Sequence, residues 1–131
     1  MLRITPFVMG HLVAALLVGA GAGAFLAAEA MLIGGVGMLA GAIVSSLVCQ
    51  WKPGVEAPAS QLWPVAVLAN PVFLAALVFL ALDWQCVVGL QRGWGCRLVA
   101  PMAMIAASLC FLPPLGGLLW RSWKRHRARP R

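Results

Sequence analysis

The forty residues from Gly10 to Cys49 contain no lysine, arginine or aspartate, and apart from Cys49 their only ionisable side chains are His11 and Glu29. A buried helix of a soluble domain is satisfied by a much shorter apolar run, whereas a bilayer core about 30 Å thick takes about 20 apolar residues per helical crossing. This stretch is therefore long enough to enter hydrocarbon and return. The remainder of the chain agrees, because 63% of all residues are hydrophobic and only 10% are charged. An ordinary soluble domain carries about 25% charged residues. With a mean hydropathy of +0.94, the sequence has too little polar surface to coat a globule.

The 131 residues accommodate four crossings with short connections and leave no room for a separate soluble domain. The expected fold is an all-α membrane protein in one polytopic domain, with transmembrane helices near residues 6–27, 31–50, 63–82 and 98–120. Strands are not expected, since an open strand edge finds no hydrogen-bond partner in lipid. The tryptophans fit this division: Trp51 and Trp63 bracket one loop, Trp84 and Trp94 lie in another, and Trp120 and Trp123 end the last span. Indoles favour the headgroup zone.

Arg3, Lys52 and the bases of the tail (Arg121, Lys124, Arg125, Arg127, Arg129 and Arg131) fall on one side of these spans, and Arg92 and Arg97 fall on the other. Basic residues near span ends stay cytoplasmic, so both termini are expected inside a bacterial inner membrane. The tail bases are expected to bind anionic headgroups, not a specific nucleic acid. A cleaved signal peptide competes with this reading through Arg3 and the small-x-small triplet Ala28–Glu29–Ala30. The apolar stretch is longer than an export signal needs, and more apolar chain follows it.

Between helices in lipid, association depends on close backbone contact. Gly19 and Gly23 are spaced for such contact on the first span, as are Gly37 and Gly41 on the second. They are expected to form the seam of a tight antiparallel hairpin, or a seam with a neighbouring subunit. The run Gly19-Ala20-Gly21-Ala22-Gly23 resembles the glycine-lined inner helix of rotary ATPase c-subunits over that short stretch. It departs from them where Glu29 closes the first span, since their carboxylate lies within the second. Cys86 and Cys96 flank a short loop on the side read as periplasmic, where a disulfide persists. Cys49 and Cys110 read as small apolar residues.

Ionisable groups within a span are functional suspects by default. Glu29 is interfacial if the chain turns at residues 27–30, and intramembrane if it turns at 33–37. His11 reads as a hydrogen-bonded interfacial histidine, and Met102 and Met104 point about 200° apart on a helix, as packing residues do. Asn70–Pro71 and Pro113–Pro114 are expected to interrupt the third and fourth spans. No nucleophile with a base, no paired carboxylates, no phosphate-cradling loop and no metal-ligand spacing occurs. The chain is therefore not expected to be an enzyme or to carry a cofactor or metal. The leading expectation is a non-catalytic accessory or assembly subunit of a larger membrane complex. A small oligomeric transporter or channel built around Glu29, His11 and Asn70 is the alternative.

Overall fold

Local chemistry starts the first helix where the sequence changes character. The Val8 backbone N–H donates to Thr5 Oγ1 at 3.3 Å and Pro6 takes the first helical position, where its missing N–H costs nothing. In this computed structural model, which describes residues 1 to 130, helix α1 covers Pro6–Ala24 and α2 covers Ala28–Trp51. Arg131, counted above with the basic tail, lies outside the described residues. The helices α3 (Ala59–Leu68), α4 (Pro71–Leu82), α5 (Trp84–Val87), α6 (Trp94–Leu109) and α7 (Leu112–Ala128) follow. No strand occurs among the described residues.

Three helical stretches are long and apolar enough to cross a membrane: α1, α2, and the 35-residue rod Trp94–Ala128 formed by α6 and α7 in succession. A fourth crossing exists only if α3 and α4 count as one, since they meet at a 60° bend. The expected third span is thus a broken helix. The expected fourth is the middle of a rod about 52 Å long at 1.5 Å per residue, well beyond the thickness of a hydrocarbon core. Its basic C-terminal turns continue as helix to Ala128.

The hairpin of α1 and α2 turns at Phe25–Ala27, earlier than the spacing of the apolar runs suggests. Backbone proximity fixes its register. A side chain on Gly19 would strike the Gly34 carbonyl, and one on Gly23 would strike the Ala30 carbonyl. Gly34, which sequence spacing did not single out, holds the place expected for Gly37. Gly37 faces open space with nothing within 4 Å of an added Cβ, because it lies three residues, nearly a full turn, beyond Gly34 but rotated off the seam. Gly41 faces Asn70 rather than α1, and a Cβ there would lie 2.5 Å from Asn70 Oδ1. The seam between α1 and α7 was not foreseen: a Cβ on Gly10 would approach Trp120 Cβ to 2.6 Å, and one on Gly117 would approach the Phe7 carbonyl oxygen to 2.7 Å.

Two apolar clusters result. Ala15, Met38, Ala42, Val67, Phe73, Ala76, Ala103 and Cys110 form one, and Phe7, Val8, Cys49, Leu62 and Ala66 form the other. The outer surface of the helices also carries large apolar side chains, with Leu17 67%, Ile33 75%, Phe79 54% and Leu119 72% exposed. Such continuous apolar exposure suits hydrocarbon as the surrounding medium and is foreign to a soluble monomer. Trp51 and Trp94 are 90% and 82% exposed, consistent with interfacial anchors. Trp63 departs from that expectation, being half-buried with its ring tilted at 40° to Phe111, centroids 5.3 Å apart.

Candidate functional site at the broken helix

The α3–α4 bend originates in one dipeptide. Proline has no N–H and disfavours the helical conformation in the residue before it, so the ladder stops at Asn70–Pro71. The Asn70 N–H bonds back to the Val67 carbonyl at 3.1 Å, which leaves the Ala66 carbonyl without its usual helical donor. Ser45 on α2 supplies the replacement, its hydroxyl donating to Ala66 O at 2.6 Å. Asn70 in turn caps α4, its Oδ1 accepting from the Val72 N–H at 3.0 Å. The absent side chain at Gly41 is what lets the Asn70 carboxamide enter.

A second interruption lies beside the first. The expected break at Pro113–Pro114 falls at Cys110–Phe111, and both prolines sit in the first turn of α7, where missing donors are tolerated. The Trp63 indole N–H points at the Phe111 carbonyl at 3.4 Å, and the Phe111 ring meets Phe73 edge-on at 5.6 Å. Trp63, Phe73 and Phe111 thus tie the two interruptions together.

His11 lies in the same layer. With Gly19 opposite Gly34 and Gly23 opposite Ala30, antiparallel register places His11 level with Ala42 on α2. That is one residue from Gly41, where Asn70 enters, and about one turn from Ser45 and Ser46. His11 is 0% exposed, and its ring stands edge-on to Phe7 at 5.5 Å. Neither of its nitrogens has a hydrogen-bond partner, and the same holds for Ser46 Oγ and Asn70 Nδ2. The expectation of a hydrogen-bonded histidine is therefore corrected. Close approach of α1 to α7 at Gly10 and Gly117 encloses the turn that carries His11.

Glu29 does not join this layer. It stands exposed in the first turn of α2, where a carboxylate suits the positive end of the helix dipole. Twelve residues separate it from Gly41, about 18 Å along the helix. The trio of Glu29, His11 and Asn70 is thus divided: the structure brings His11 and Asn70 to one level and leaves Glu29 near the opposite end. Ser45 and Ser46 were the members that sequence reading missed. Serines four to five residues before the expected span end carry no signal of their own until the partner break is known.

At the Glu29 end, the hairpin and α6 diverge around an apolar cavity of about 700 Å³ lined by Gly21, Gly37, Phe25, Ile33, Met102 and Ile105 among others. Gly21 and Gly37 are the two glycines of the α1–α2 hairpin whose added Cβ would meet nothing within 4 Å. Beyond it, Cys86 and Cys96 form a disulfide, near Arg92 and Arg97. The other described basic residues gather at the far end. There the Gln50 side chain clasps the Arg3 backbone through bonds of 3.1 and 2.6 Å, and Arg121 and Arg125 hold the Lys52–Pro58 connection. Among the described residues no three His, Cys, Asp or Glu side chains converge in a way that would hold a metal ion. Compared with known proteins, the chain matches no family model, no curated sequence and no solved structure.

Proposed function

We propose that this chain is a small non-catalytic accessory or assembly subunit of a bacterial inner-membrane complex, and that the cleft between the α1–α2 hairpin and α6 receives a transmembrane helix of another subunit. The observation that supports this reading is the glycine-floored apolar cavity, which the chain's own helices leave open. Two helices associate in lipid where small residues allow backbones to approach, and Gly21 and Gly37 present bare backbone there. In the proposed topology the bent α3–α4 pair is one of four crossings and both termini are cytoplasmic. Support comes from the separation of charge, with Arg3, Lys52 and the α7 bases at one end and Arg92, Arg97 and the disulfide at the other.

Mild-detergent extraction tests the assignment. Co-purification of defined membrane subunits with the wild type, and their loss from Gly21→Leu and Gly37→Leu variants that keep the disulfide and the helix content, is the expected result. A self-sufficient homo-oligomer indifferent to both substitutions contradicts it. That outcome favours the second reading, a small oligomeric transporter or channel, whose specific support is the layer of unpartnered polar atoms on His11, Ser46 and Asn70. In that case His11→Phe abolishes flux, whereas Glu29→Gln, far from the layer, leaves it unchanged.

A further inference from the structure

Helix α7 carries bases on two faces, and only one face closes against the rest of the chain. At about 100° per residue, Arg121 and Arg125 stack on successive turns with Ser122 and His126 alongside, Arg129 follows as the extended residue that ends the helix, and Lys124 and Arg127 fall on the opposite side. The first face, together with Ala59 at the start of α3, lines a cavity of about 500 Å³. Leu115, Leu118 and Leu119 form its apolar end, and Arg125, His126 and Arg129 its basic end.

Two cations of this face are committed to the protein. Arg121 donates to the Val55 and Ala57 carbonyls at 2.9 Å each, and Arg125 Nη2 pairs with Glu56 Oε2 at 2.6 Å. That is the sole salt bridge among the described residues. Arg129 and His126 line the cavity, and among the described residues no acid is set against them. On the opposite face Arg127 is occupied differently, lying 4.0 Å over the Trp123 ring. The cavity is thus apolar toward the membrane interior, cationic toward the helix end, and placed where the α6–α7 rod outruns the hydrocarbon. This gradient matches the shape and charge of a phospholipid with a net negative headgroup. A guanidinium offers forked donors suited to phosphate oxygens, and leucines suit the first acyl carbons.

We infer that this cavity seats the phosphate of one anionic phospholipid, with Arg129 and His126 as its ligands, Arg125 flanking them, and Leu115, Leu118 and Leu119 against the acyl chain. The inference rests on the proposed orientation, which puts this end at the anionic cytoplasmic leaflet, and it replaces diffuse attraction of the tail with a single seat.

Native mass spectrometry of the full chain released from phosphatidylglycerol/phosphatidylcholine nanodiscs tests it. One phosphatidylglycerol is expected to remain bound per chain in preference to phosphatidylcholine. His126→Ala/Arg129→Ala should weaken that retention about tenfold, while Lys124→Ala/Arg127→Ala, on the opposite face, should leave it intact. Circular dichroism and the Cys86–Cys96 disulfide verify folding of both variants. Equal weakening by the two pairs overturns the seat and leaves the orientation standing. A wild type without preference for phosphatidylglycerol overturns the seat, while labelling of the Lys52–Pro58 connection tests the orientation separately. Displacement of the lipid by millimolar inorganic phosphate overturns the lipid assignment in favour of a free-phosphate site.

Discussion

Ser45 repairs the break that Asn70–Pro71 makes. Its hydroxyl is the donor to the Ala66 carbonyl, so Ser45→Ala buries that acceptor without a partner. The expected loss is about 1–2 kcal/mol, within the range for buried unpaired groups and for hydrogen bonds between membrane helices. Unfolding in detergent measures it, and Ser45→Thr, which keeps the hydroxyl, should recover most of it. His11 behaves oppositely. Its nitrogens are buried and unpartnered, so in a chain whose role is assembly His11→Phe removes two unsatisfied groups and packs a ring beside Phe7. The thermal midpoint should rise, and a fall would mean that His11 holds something the substitution removes. The sequence disclosed that His11 and Asn70 were unusual, because polar groups in an apolar run cannot hide. It did not disclose their level in the bundle, which depends on the register of backbones that only the seam at Gly19 and Gly34 sets.

The glycines divide into two kinds that composition alone does not separate. Gly19 lies on the hairpin seam against backbone that has no means of yielding, so Gly19→Leu should part α1 from α2 and destabilise the protein by several kcal/mol, as overpacking at a rigid contact does. Gly37→Leu should leave stability nearly unchanged, since an added Cβ there meets open space. Parallel thermal melts of the two variants check this contrast. The periphery is held by a different device. The Cys86–Cys96 bridge closes a loop of sequence separation 10, worth about 3 kcal/mol in the chain-entropy model. The Cys86→Ser/Cys96→Ser variant should therefore unfold earlier, or free the α5–α6 connection to proteolysis, with the α1–α2 hairpin unaffected.

Helical content, the approximate extents of α1 and α2 and the pairing of Cys86 with Cys96 were legible because each follows from local composition or spacing. The α3–α4 bend was legible as a break at Asn70–Pro71, but its 60° angle was not, since proline removes a bond without dictating the new direction. Pro113–Pro114 misled in position, because prolines are tolerated within the first turn of a helix and the interruption moved upstream to Cys110–Phe111. The α1–α7 seam escaped for a related reason: Gly10 is far in sequence from Gly116 and Gly117, and they meet only when the last helix folds back.

The molecule as a whole is proposed to sit in hydrocarbon, with most of its described basic groups at one end and the disulfide, Arg92 and Arg97 at the other. Arg3 bound to Gln50, Arg121 to Val55 and Ala57, and Arg125 to Glu56 tie the N-terminal segment to the end of α2 and α7 to the Lys52–Pro58 connection, in a cap that the proposed topology places in the cytoplasm. The most direct measurement is labelling of a single exposed cysteine at Ser60→Cys, in a background where Cys49 and Cys110 are replaced, with a membrane-impermeant maleimide. Inverted inner-membrane vesicles should label and intact spheroplasts should not. Labelling of spheroplasts, or an equally soluble and monodisperse protein in buffer without detergent, would contradict the account.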